Sequence, residues 1–120
     1  MVIAALVVAL LTALFIVFIG VRFLVAPQVA VAGFGVPQDR PRAMTNAKGI
    51  RDITSGVLML VVLAVAGPHA LGWALVAVAL TPIGDAITVA SNGGKLATAL
   101  QIHGVTAAVL IAAGLFFALA

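Results

Sequence analysis

"VIAALVVALLTALFIVFIGVRFLV", residues 2–25, carries one charged side chain, Arg22, near its end. A helix that crosses a bilayer needs about 20 mainly apolar residues, and this run is apolar on every face. Strands of a membrane barrel need alternating polarity, which is missing here. The form that fits is a helix that satisfies its own backbone in lipid.

Three further runs follow the same pattern, at roughly 50–66, 70–90 and 96–119. Between them lie a long polar segment at 26–49, Gly67-Pro68-His69, and "SNGGK" at 91–95. Gly and Pro stand where helices should stop. "AVAG" at 30–33 looks like a signal-peptidase site. However, no Lys or Arg precedes the first run, and it is much longer than the apolar core of about 7–15 residues in a signal peptide. It is read as a retained span. The expectation is an all-α, integral membrane four-helix bundle, a single domain over 1–120.

Composition agrees. Of the 120 residues, 65% are hydrophobic and 8% charged, and the mean hydropathy is +1.37. A soluble domain carries about 25% charged residues, so this chain cannot dress a surface for water. Its formal net charge is +3, with basic residues too few and scattered for a groove that tracks nucleic-acid phosphates. There is no Cys, and two His without paired spacing offer no metal site. No cofactor is expected.

The basic residues instead report orientation. Four spans put both termini on one side. Arg22, Arg40, Arg42, Lys48 and Arg51 flank or lie in the first connection and Lys95 lies in the third, all on the opposite side. By the positive-inside rule that side is cytoplasmic. Both termini are then extracytoplasmic, in a multi-pass protein of the cell membrane. So complete a bias argues against a dimer of opposed subunits like that of the small four-helix multidrug transporters. Those also resemble one another in a first-helix Glu, and this chain has no Glu. A homo-oligomer of another kind stays open.

Ionisable groups within spans are costly, about 2.5–3.5 kcal/mol at the centre, so their placement is informative. Arg51 and Asp52 are expected in the first turn of the second helix. Asp85 is five residues short of the inner end of the third helix, about 8 Å deep at 1.5 Å per residue. His103 is seven residues into the fourth, about 10 Å deep. With Arg22, all of these fall in the inner third of the membrane. Helical spacing adds Ser55 to Asp52 and Arg51, Thr81 and Thr88 to Asp85, and Thr106 to His103. Pro82 cannot donate to the Val78 carbonyl and should kink the third helix, as helices do where they border a cavity.

Each residue also has a structural reading. Arg22 and Arg51 can snorkel to lipid phosphates, and Asp52 can complement a helix dipole. Asp85 can knit helices through an Arg, and His103 can bond a carbonyl. The 26–49 segment can lie on the inner surface with Phe34 dipping in, or cover the polar cluster.

"RFLVAP", "GFGVP", "GIRDITSG", "TPIGDA" and a fourth-helix His, in that order, resemble the small four-helix membrane proteins grouped as a domain of unknown function, DUF4267. The resemblance covers nearly the whole chain, and Gly-x-Arg-Asp is its most distinctive element. It marks Arg22, Pro27, Gly35, Gly49, Arg51, Asp52, Gly56, Asp85 and His103, and it implies a fold but no activity.

Two carboxylates and an imidazole in a shielded pocket can divide acid and base roles. Asp52, Asp85 and His103 are the catalytic candidates. Arg22, Arg51, Ser55, Thr81, Thr88 and Thr106 are the substrate-binding ones. The substrate would be a small lipophilic molecule entering from the bilayer, for isomerisation, cyclisation or epoxide opening. Two other classes stay open: a non-catalytic membrane subunit with a structural polar cluster, and a proton-coupled transporter.

Overall fold

The computed structural model describes residues 1–35 and 42–120, the side chains of 42–44 excepted. The described residues form α1 (Val2–Val25), α2 (Pro27–Phe34), α3 (Arg42–Val78), α4 (Leu80–Ser91) and α5 (Leu96–Thr98). A π-helical turn (Ala99–Gly104) and α6 (Val105–Leu119) complete them, and no strand occurs among them. Three helical stretches are long and apolar enough to cross a membrane: Val2–Val25, Thr45–Ser91 and Leu96–Leu119.

The middle stretch contains 47 residues, which as one straight helix would measure about 70 Å. The whole molecule is only 44 Å long. The chain turns back at Gly67, whose φ of 79° and ψ of −178° interrupt α3. That conformation is open essentially to glycine alone. Pro68 follows, with a ring that presets the first turn of a new helix. α3 is therefore two helices, 42–66 and 68–78, and the described residues form four main helical rods.

Without an N–H at Pro82 the Val78 carbonyl loses its helical partner. Ala79, which separates α3 from α4, keeps helical φ −59° and ψ −18°, and its hydrogen bonds to Leu75 and Ile83 carry the third rod through this point. α4 closes in a Schellman arrangement: Gly93 takes φ 81°, and the Gly94 N–H donates to the Val89 carbonyl at 2.9 Å. The left-handed residue there satisfies a carbonyl that the helix end would otherwise orphan.

Two differences from the sequence expectation concern the first connection. Residues 27–34 form a helix of their own, opened by Pro27 and closed by Gly35 at φ 98°. The next helix starts at Arg42 rather than near 50. Ala43, Met44, Ala47 and Lys48 favour helix, and no Pro or Gly intervenes before Gly49. Asp52 thus lies ten residues into its helix, so the dipole explanation for it fails, since that effect fades within the first turn. Arg40 lies outside the described residues, as does the part of the connection from 36 to 41.

Backbones meet along two antiparallel seams. A Cβ on Gly20 would stand 2.5 Å from the Gly49 carbonyl oxygen, and one on Gly56 2.7 Å from that of Ala13. The second seam joins 68–78 to α6, where a Cβ on Gly72 would meet the Ala118 nitrogen at 2.4 Å and the Gly114 oxygen at 2.6 Å. Small residues allow such close approach of helix backbones.

The packing forms two apolar clusters. One contains Ala9, Ala13, Met59, Leu71, Leu75 and Phe117, toward the termini and Gly67. The other contains Phe23, Ala30, Phe34, Val89 and Ala99, toward Lys95. Large apolar side chains such as Leu11, Phe15, Val65, Trp73, Leu80 and Ile87 remain exposed around the outside. A cavity with a mainly apolar wall and a few polar groups lies between the two clusters.

Candidate functional site

The cavity has a volume of about 360 Å³ and is bordered by residues of α1, α2, α3, α4, the π turn and α6. Its apolar wall includes Phe15, Ile16, Ile19, Val78, Pro82 and Ile102. Its polar wall is Arg22, Lys48, Asp52, Ser55, Thr81, Asp85, His103 and Thr106. A mainly apolar pocket with a few convergent polar groups is the usual form of a small-molecule site.

The two carboxylates come from different rods and share the same two cations. Lys48 Nζ donates to Asp52 Oδ2 at 3.0 Å and lies 3.6 Å from Asp85 Oδ2. Arg51 Nη2 lies 3.2 Å from Asp52 Oδ1 and 3.4 Å from both Asp85 oxygens. The side chains of Asp52, Asp85 and Lys48 are 8%, 16% and 18% exposed, whereas that of Arg51 is 45% exposed. Arg51 therefore approaches from the periphery, and Lys48 is the buried cation of the group. Two positive and two negative charges balance. Because the carboxylates have the same partners, geometry gives them no separate roles.

Lys48 is held on its other sides by rings. Its Nζ lies 4.8 Å from the centre of Phe23 and 4.9 Å from that of Phe34, within the range of cation–π attraction. Phe34 also meets His103 edge-on, with ring centres 4.8 Å apart. α2 thus borders the site through Ala30, Gly33 and Phe34, and Phe34 does dip inward.

His103 belongs to the π turn, where the Val105 N–H reaches the Ile102 and Leu100 carbonyls. Such wide turns are rare and often mark functional positions. Ala99, His103, Ala107, Leu110 and Gly114 form the buried stripe of this rod, so the imidazole points inward. Its Nε2 lies 3.0 Å from the Phe34 carbonyl oxygen. A carbonyl only accepts, so Nε2 carries the proton. Nδ1 makes no hydrogen bond among the described residues. No sealed side-chain nitrogen or oxygen there lacks a partner either. Nδ1 is therefore not sealed from the surroundings, and His103 lines the cavity.

Asp52, Asp85, His103, Arg22, Ser55, Thr81 and Thr106 all border this cavity, and two other candidates do not. Arg51 is outside the lining but binds both carboxylates. Thr88 is exposed. On α4 the buried centre is Pro82 and Val89. At about 100° per residue Asp85 stands about 60° from Pro82, and Thr88 about 120° away on the same side. The i, i+4, i+7 pattern joined residues on one stripe, but that stripe lies beside the inward face. Two hydroxyls are already engaged: Ser55 Oγ donates to the Arg51 carbonyl at 2.9 Å and Thr106 Oγ1 to that of Ile102 at 2.6 Å. They offer the cavity lone pairs rather than protons.

The expectation missed Lys48, Phe23 and Phe34 as members of the site. Lys48 had a signal, since it stands four residues before Asp52. Phe34 and His103 are 69 positions apart, and no local spacing connects them.

Residues 13–117 match the family model described as Domain of unknown function (DUF4267), a stretch that contains every residue of the cavity wall. No curated protein and no solved structure matches the chain.

Proposed function

The chain belongs to the DUF4267 family, and from that premise we propose that it is a multi-pass protein of the cell membrane that receives a small lipophilic molecule in its cavity. The lysine- and arginine-bearing ends face the cytoplasm in this reading, and both termini face out. The observation that carries it is the cavity, about 360 Å³, apolar toward Phe15 and Val78 and polar toward Asp52, Asp85 and His103. A ligand would arrive from the bilayer with its apolar part first and its polar group against the charged wall.

The same wall equips the protein for acid–base chemistry. His103 presents a lone pair at Nδ1 while the Phe34 carbonyl holds the other nitrogen in place. That arrangement suits a base positioned by a second-sphere acceptor. The Asp52–Asp85 pair with Lys48 and Arg51 would polarise or protonate the substrate's polar group. Isomerisation, cyclisation and epoxide opening are the reaction classes that need only these groups.

A neutral photoreactive probe, a diazirine-bearing decanol, tests the binding step in nanodiscs. Labelling should map to cavity residues such as Ile19 and Val78 and should fall when Thr106→Phe fills the cavity. Labelling confined to exposed positions such as Leu11 and Ile87 refutes it. For catalysis, Asp85→Asn and His103→Gln should keep the label but abolish turnover of an epoxide- or alkene-bearing lipophile that the native chain consumes.

One observation favours a second reading, a structural cluster in a non-catalytic subunit. All four charges of the group are mutually paired, as a knot between α3 and α4 requires. Loss of folding in Asp85→Asn would support it.

A further inference from the structure

We infer that the cavity's ligand is a lipophilic monoanion, an aliphatic chain ending in a carboxylate, and that Arg22 binds its head. This rests on the reading of the cavity as a lipophile site and adds the ligand's charge to it.

The inference starts from a charge count around one cavity. Lys48 and Arg51 are balanced by Asp52 and Asp85, each carboxylate within 3.6 Å of both cations. Arg22 also borders the cavity, is half-buried, and has no carboxylate partner among the described residues. Among the described residues its guanidinium carbon lies 5.7 Å from the ring centre of Phe18. Among the described residues the site therefore carries one positive charge in excess.

A guanidinium beside apolar walls gains from a counter-ion, because poorly hydrated charges are costly when unpaired. Its planar fork matches a carboxylate's two oxygens. A single negative charge brings the site to neutrality. A cationic head would meet carboxylates that are already occupied, and a neutral head would leave Arg22 unpaired.

Arg22 is also placed at one end of an apolar track. Phe15, Ile19 and Arg22 border the cavity from one face of α1, at the i, i+4, i+7 spacing of a helix. From Phe15 to Arg22 the helix rises about 10 Å, which suits a medium-length alkyl chain laid along it. With the head on Arg22 the chain passes Ile19 and Ile16 and ends near Val78. His103 and Thr106 border the same cavity.

The experiment repeats the photolabelling with a diazirine-bearing decanoate in nanodiscs of zwitterionic lipid. Unlabelled decanoate, decanol and decylamine serve as competitors. Decanoate should compete at least tenfold better than decanol, and decylamine worst. Arg22→Gln should remove the preference for decanoate while labelling by the neutral decanol probe persists. Arg22→Lys, which keeps the charge without the fork, should restore part of it. The charge assignment is overturned if decanol or decylamine competes as well as decanoate, or if Arg22→Gln keeps the preference. In those cases the cavity is still a lipophile site. If neither the neutral nor the anionic probe labels the cavity, the lipophile reading fails as well, so the two failures are told apart.

Discussion

Lys48→Met tests the charge group directly. Lys48 is mostly buried, donates to Asp52 and stands 3.6 Å from Asp85. Removing it leaves two carboxylates with Arg51, whose side chain is 45% exposed. Breaking a buried pair costs about 3–5 kcal/mol, because a charge is left without compensation. An exposed pair is worth about 0–1 kcal/mol. Lys48 lies nearer the first limit, so Lys48→Met should destabilise by about 2–3 kcal/mol. The double variant Lys48→Met with Asp85→Asn restores neutrality, since Arg51 then faces Asp52 alone. It should recover at least about 1 kcal/mol relative to Lys48→Met, a coupling typical of residues in one network. The assay is reversible unfolding in mixed micelles with increasing SDS, followed by fluorescence of Trp73, the chain's single tryptophan. A Lys48→Met variant as stable as the native chain would refute the reasoning. So would a double variant no more stable than Lys48→Met, because the penalty would then not arise from uncompensated charge.

Other consequences can be checked separately. Gly56→Leu should destabilise by more than about 2 kcal/mol in the same assay, because even its Cβ would stand 2.7 Å from a backbone oxygen and 2.5 Å from Val17, and overpacking of this kind costs about 1–3 kcal/mol. Gly67→Ala should destabilise despite open space around it, since φ 79° with ψ −178° is closed to other residues. Gly84→Ala, in helix with nothing near its Cβ, should be neutral or stabilising by up to about 1 kcal/mol. The chain has no Cys, so single cysteines report sidedness cleanly. Lys95→Cys should react with a membrane-impermeant maleimide only in inverted vesicles, and His69→Cys only in right-side-out ones. Both reacting from one side contradicts the proposed orientation.

Much of the architecture was legible from local pattern. An apolar run fixes its own solvent and length, because a helix satisfies its backbone without help from neighbours. Gly67-Pro68 and Gly93-Gly94 end helices through their own backbone preferences. Pro82 removes one donor from the third rod. Counting along each rod placed Asp52, Asp85 and His103 at a common level, and they do border one cavity.

Rotation and partnership were decided only in three dimensions. Which way α4 turns depends on Pro82 and Val89 seating against neighbouring rods, and that rotation takes Thr88 out of the site. The level of Lys48 could be counted, but its burial between Phe23 and Phe34 required α2 to fold back as a helix. The hydrogen bond from His103 to the Phe34 carbonyl spans 69 positions and depends on the π turn that directs the imidazole inward. Sequence alone determined that these runs are helices, that breaks fall at Gly67-Pro68 and Gly93-Gly94, and in what order their polar groups follow along each rod, since each depends on neighbours within a turn or two. The glycine seams determine how closely the rods approach, and tertiary packing determines how they are rotated. That rotation is why only the tertiary structure could decide that Lys48 belongs to the site and Thr88 does not.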